Sequence, residues 1–129
     1  MRPATCLFAA LIGLTALGGC ATGPGKEVAR IFERKGESQL KQGISNYEDG
    51  RLPQAATQLQ GALEAGLSQA DQVKAHKYLA FIHCVSGRER QCRAHFRSAL
   101  ELDPAFELER AEAGHPMWGP VFRSVKNRR

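Results

Sequence analysis

The side chains able to do chemistry in this chain are few, and their spacing narrows what they can do. Cys84 and Cys92 flank the seven residues VSGRERQ, while Cys6 and Cys20 fall in the first 20 residues. If the segments on either side of VSGRERQ are antiparallel helices, Cys84 and Cys92 face each other near the turn. Their Cα atoms then fall within the range of about 4.4–6.8 Å that a disulfide needs. Closing so short a loop would add about 2–3 kcal/mol. The alternative is a pair of small buried thiols. His83, Cys84, Cys92 and His95 also raise the question of zinc. Structural zinc sites pair ligands about two to four residues apart, whereas His83 and Cys84 are adjacent and diverge on a helix, so no metal is expected. There is no C-x-x-C-H for haem, and no G-x-S-x-G, H-E-x-x-H or phosphate loop. Ser45, Ser68, Ser86, Ser98 and Ser124 have no evident base, and the pairs Glu48/Asp49 and Glu107/Glu109 read as solvated carboxylates. The inventory argues for binding rather than catalysis, and no enzyme is expected.

Cys20 belongs to a different pattern. A single Arg2 precedes the apolar residues 4–17, which end in LGGCATGPG. That run is too short for a membrane helix, which needs about 20 residues, and it has the layout of an export signal. The tetrad Leu17-Gly18-Gly19-Cys20 resembles the bacterial lipobox. The resemblance implies diacylation of the Cys20 thiol, removal of residues 1–19 and a mature chain that starts at Cys20. The lipid is then the only non-protein group expected. Two or three acyl chains make a lasting anchor where one does not. ATGPGK becomes a flexible tether, with residues 20–36 holding the lipidated end, the tether and a short helix. Ala21, in place of Asp, implies sorting to the outer membrane, facing the periplasm.

About 110 residues remain after processing, enough for one small domain. The formal charge of +5 becomes +4 without Arg2. A basic balance is compatible with nucleic acid, but export argues against that partner. The charge is blocky. Six basic residues lie in 74–97 against Glu89, five acidic ones in 98–115 against Arg110, and Arg123, Lys126, Arg128 and Arg129 close the chain. Such blocks are either solvated helix faces or a docking surface for an acidic partner or phospholipid headgroups.

The elements that must position these groups are helical. Apolar residues recur at i, i+3, i+4 and i+7 in five stripes: Val28/Ile31/Phe32, Leu40/Ile44/Tyr47, Ala55/Leu59/Ala62/Leu63, Val73 to His83, and Cys92/Phe96/Ala99/Leu100. Turn chemistry separates them at EDGRLP, AGLSQAD, VSGRE and ELDPAF. Ser68 with Asp71 predicts a cap on the fourth helix, and Pro53 fits the first turn of the third. An all-α chain follows.

The helices repeat. Residues 43–64 overlay 80–101 at a period of 37, which pairs Gly43 with Ala80, Gly50 with Gly87, Ala55 with Cys92, Leu59 with Phe96, and Ala62-Leu63-Glu64 with Ala99-Leu100-Glu101. This pattern over 37–104 resembles the tetratricopeptide repeat, a helix-turn-helix of about 34 residues. The second copy adds the family's closing Asp103-Pro104, and Cys92 stands where the family usually has alanine. The resemblance implies two hairpins in a short α-solenoid. Two repeats leave apolar end faces, so caps are expected from the 28–32 stripe and from 105–129, where Pro116 would start a helix placing Met117, Trp118, Val121 and Phe122 on the last repeat. Trp118 and Phe122 have a second reading as exposed anchors for a partner.

The same resemblance implies a concave groove lined by the first helix of each hairpin: Glu37, Leu40, Ile44 and Glu48, then Lys74, Lys77, Phe81 and Val85. The set that clamps a terminal carboxylate in some family members is incomplete, because Lys77 fits and Phe81 does not. Accessory lipoproteins near type VI secretion clusters are similar to the tail ALELDPAFELERAEAGHPMWGPVF. Together these resemblances imply a lipid-anchored adaptor or assembly factor that binds a protein or peptide of an envelope machine such as a secretion system or pilus. The alternative is a structural lipoprotein forming a homo-oligomer through its exposed repeat faces.

Overall fold

The computed structural model describes residues 24–128. Six helices are found among them: α1 (Pro24–Glu48), α2 (Leu52–Ala65), α3 (Gln69–Val85), α4 (Glu89–Leu102), α5 (Arg110–Ala113) and α6 (Gly119–Lys126). No strand occurs among the described residues, so this part of the chain is all-α. α1 packs along α2 and α3 along α4. The two hairpins meet through α2 and α3, with α1 also touching α3, and α6 closes on α4.

The internal repeat is written into the backbone. In the first turn Asp49, Gly50 and Arg51 donate their N–H groups to Ser45, Tyr47 and Asn46. Ser86, Gly87 and Arg88 donate theirs to the carbonyls of Ile82, Cys84 and His83, so all three bonds of the first turn recur 37 residues on. Gly50 (φ 75°) and Gly87 (φ 72°) occupy the left-handed conformation that ends a helix at little cost only for glycine. The residues that follow, Arg51 (φ −84°, ψ 67°) and Arg88 (φ −94°, ψ 64°), turn the chain into the next helix in nearly the same way.

Packing repeats with the turns. Ala55 and Cys92, Leu59 and Phe96, and Ala62 and Ala99 are all fully buried. Gly43 is small for a stated reason: a Cβ there would lie 2.7 Å from Leu59 Cγ. Ser68 caps α3, its Oγ accepting from the Asp71 N–H, and Pro53 lies in the first turn of α2.

Two expectations about the N-terminal end need correction. Residues 24–36 are not a tether followed by a separate short helix, since α1 runs unbroken from Pro24. Gly36 does not stop it, because one interior glycine costs only about 1 kcal/mol, and this glycine is needed where α1 meets the backbone of Gly66. Nor does the 28–32 stripe cap the first hairpin: Val28 is 49% and Ile31 60% exposed. At about 100° per residue their stripe lies roughly a third of a turn away from the Leu40/Gly43/Tyr47 face that packs inward. The Phe32 side chain lies outside the described residues.

At the other end, Trp118, Val121, Phe122 and Val125 do bury against the second hairpin, together with Leu108. The helix that carries them starts at Gly119 with Pro120 in its first turn, not at Pro116, and Met117 stays exposed. A Cβ at residue 119 would lie 2.4 Å from the Ala113 carbonyl oxygen, so the chain can cross α5 there only with glycine.

Candidate functional site

The densest set of functional side chains lies where α1, α3 and the C-terminal segment meet. A run of rings crosses this region. Tyr47 meets Tyr78 edge-on at 5.1 Å, Tyr78 meets Phe81 at 5.9 Å, Phe81 stacks on Trp118 at 4.2 Å, and Trp118 stacks on His115 at 3.3 Å. Edge-on and offset stacks are the arrangements aromatic quadrupoles favour.

Glu112 ties this run together. Its Oε1 accepts from Lys77 Nζ at 2.6 Å, its main-chain oxygen accepts from Trp118 Nε1 at 2.9 Å, and its Oε2 accepts from the Glu109 N–H at 3.0 Å. The last bond is half of the capping box that opens α5. Lys77 Nζ also stands 5.0 Å from the Tyr78 ring centre, and the Lys77 and Glu112 side chains are only 12% and 18% exposed. Burial pushes the Tyr78 hydroxyl above its usual pKa, reinforced by Glu112, Glu48 and Glu109. Burial does the same for Tyr47, with Tyr78 and Glu112 adding to it.

This geometry rearranges the expected groove. Leu40 lies in the core of the first hairpin and does not face a ligand. Phe81, 2% exposed, is covered by Trp118, and Lys77 is engaged by Glu112. The chain's own segment 108–118 therefore sits on the α3 positions where a peptide was expected. Ile44 remains half-buried, and Lys74 is exposed beside Asp71 at 3.5 Å. Glu37 and Glu48 are exposed on α1, and Val85 is exposed at the end of α3. Trp118 (7% exposed) and Phe122 (3%) are core residues rather than surface anchors. Helical periodicity shows that 115–125 has an apolar side; it carries no information about a contact such as Lys77–Glu112, whose partners are 35 residues apart.

Cys84 and Cys92 are joined as a disulfide, with Cα atoms 5.1 Å apart. Beside them lies a cluster of three histidines, of which only His83 and His95 stand close to the cysteines in sequence. His76 and His83 stand seven residues apart on α3, which places them on one helix face, and His95 on α4 lies between them. One Nδ1 of His76 and His95 donates to the other across 3.0 Å, and the His95 ring lies parallel to that of His83 at 5.1 Å. The buried His83 Nδ1 has no hydrogen-bond partner among the protein atoms. Burial, then the His76 and His83 charges, hold His95 down at about 4, and burial lowers His76 and His83 as well. His83 and His95 stack while His76 and His95 share a hydrogen bond, and no group of three or more His, Cys, Asp or Glu among the described residues has a geometry that could hold a metal ion.

Several hydroxyls considered above are engaged locally. Ser86 donates to the Ile82 carbonyl, Ser98 to that of Ala94, and Ser124 accepts from Arg93. Cys6, Cys20 and the lipobox-like tetrad lie outside the described residues. No described helix is long and apolar enough to cross a membrane. The chain matches no protein-family model, no curated protein and no solved structure.

Proposed function

We propose that this protein is a lipid-anchored adaptor of the bacterial envelope, acylated at Cys20, whose tetratricopeptide-like hairpins hold a protein or peptide partner on the periplasmic side of the outer membrane. The observation that carries the reading is the duplicated hairpin. The turn at Gly50 and the turn at Gly87 share backbone geometry, and equivalent small and large side chains are buried 37 residues apart. A scaffold of stacked hairpins suits recognition, because each hairpin presents one helix face to a ligand while burying the others.

The partner's place is the part of the α1/α3 face that the C-terminal segment leaves open: Glu37, Ile44 and Glu48 with Lys74, rimmed by the Lys77–Glu112 pair. Its mixed charge and one half-buried apolar residue suit a peptide carrying both signs of charge. Self-association through bare repeat faces finds less support. Trp118 and Phe122 cover the second hairpin, and Gln54, Thr57 and Gln60 make the exposed side of α2 polar.

The anchor and the adaptor role are tested separately. Mass spectrometry of the protein from native envelopes should find an acylated N-terminal Cys20. Photo-crosslinking residues at positions 44 and 74 should capture one discrete envelope protein that position 54 does not. An unmodified Cys20 would overturn the anchor. Equal capture from all three positions, or none, would overturn the binding face.

A further inference from the structure

The first three turns of α1 are the least accounted-for part of the molecule. Gly36 meets Gly66, the residue after the last turn of α2, so α1 outruns its partner from that point. The 12 residues before it extend about 18 Å at 1.5 Å per residue. Residues 25–28, 30, 31, 34 and 35 are all exposed. Propagation from the packed part of α1 holds these turns, but their described side chains gain no burial there. A surface laid against them would supply it.

The sequence of the arm says which surface. Val28 and Ile31 lie on one side and are both largely exposed. Lys26, Arg30, Arg34 and Lys35 outnumber Glu27 and Glu33, a composition that suits anionic lipid headgroups. Lys35 shares the apolar side at helical spacing and can extend its ammonium to the headgroup level. Only residues 21–23 separate Cys20 from the start of α1. At about 3.5 Å per residue, a lipid on Cys20 would hold the arm within roughly 14 Å of the bilayer.

We infer that the arm of α1 before Gly36 lies along an anionic phospholipid surface with Val28 and Ile31 toward the acyl chains, as a second membrane contact beside the lipid. The inference rests on the anchoring reading for its local concentration, and the two fail differently. The full chain, processed in the cell that makes it, is reconstituted into phosphatidylethanolamine–phosphatidylglycerol vesicles. An environment-sensitive label is placed through Ile31→Cys or, as a control at the far end of the hairpin, through Gln54→Cys. The label at 31 should show less than about half the aqueous-quencher access of the label at 54, and a lipid-borne quencher should reach it. Replacing phosphatidylglycerol with phosphatidylcholine, or introducing Arg30→Glu with Arg34→Glu, should restore access.

Equal access at the two positions in protein that floats with the vesicles overturns the inference and leaves the anchor standing. Shielding at 31 without vesicles, with coupling between labels on two chains, overturns it in favour of self-association. Shielding that needs added envelope protein overturns it in favour of a protein partner. If the mass shows no acyl group, the anchoring reading fails, and the same comparison at saturating vesicle concentration still decides the arm.

Discussion

Acidification should loosen this protein through His95, and the size of the effect can be worked from its surroundings. An unfolded chain leaves a histidine near 6.5; burial and the neighbouring His76 and His83 hold His95 at about 4 in the fold. Between those values the unfolded state binds a proton that the folded state does not, so stability falls as the pH drops through this window. Above about 6.5 the ring is neutral in both states and adds no pH dependence; below about 4 it is charged in both and the loss is complete. A gap of about 2.5 units corresponds to roughly 3.4 kcal/mol at 1.36 kcal/mol per unit. His95 is only partly buried, and solvent screening reduces this to roughly 1.5–2 kcal/mol. His76 and His83 are shifted in the same direction and add to the slope. The assay is urea unfolding followed by helical circular dichroism between about pH 7.5 and pH 4, on the wild type and on His95→Gln. With a urea slope of about 1–3 kcal/mol/M, the wild-type midpoint should fall by about 1 M more than that of the variant. Parallel pH profiles for the two proteins would refute the reasoning, because they would mean that His95 protonates as easily folded as unfolded.

Other perturbations test the packing. Trp118→Ala removes the stack on Phe81 and the bond to the Glu112 carbonyl and should cost about 3–5 kcal/mol; hydrogen exchange should accelerate across α5 and α6 first, and uniform loss of protection along the chain would contradict a separable cap. Gly43→Ala meets the buried Leu59 side chain and should destabilise by about 1–3 kcal/mol, whereas Gly61→Ala meets only the flexible end of Gln39 and should be neutral or stabilising by up to about 1 kcal/mol; the thermal melt should fall for Gly43→Ala and stay level or rise for Gly61→Ala. Cys84→Ser with Cys92→Ser should cost about 2–3 kcal/mol from loop entropy, and the double variant should unfold at a lower urea concentration than the oxidised wild type.

How much of this was legible from sequence depends on the range of the interaction. The period of 37, the turn glycines, the Ser68 cap and the Cys84–Cys92 pairing are set by residues close together in the chain or by a repeat of such local rules, and all are found in the structure. The course of α1 was missed because a local break signal, Gly36, serves a distant need, the approach of Gly66. The histidine cluster is half legible: His83 and His95 stand out beside the cysteines as a zinc question, while His76 joins them only through its seven-residue step from His83, which puts both on one face. The expected groove rests on a resemblance to the tetratricopeptide pattern, and a resemblance cannot say what this chain's own tail covers.

That covering constrains any binding scheme. Phe81 as a groove residue and Trp118 as a free anchor both require breaking one and the same contact, since each ring is the other's cover. A peptide reaching Phe81 would have to displace Trp118 and break the Lys77–Glu112 pair. If displacing the indole alone costs about 3–5 kcal/mol, affinity is reduced by roughly two to four orders of magnitude before any new contact is made. A partner that binds Ile44 and Lys74 and leaves the tail in place carries no such cost. Binding should therefore be lost on altering α1 near Ile44, with the C-terminal segment keeping its hydrogen-exchange protection in the complex. Loss of protection at Trp118 on partner binding would show that the ligand does displace the tail.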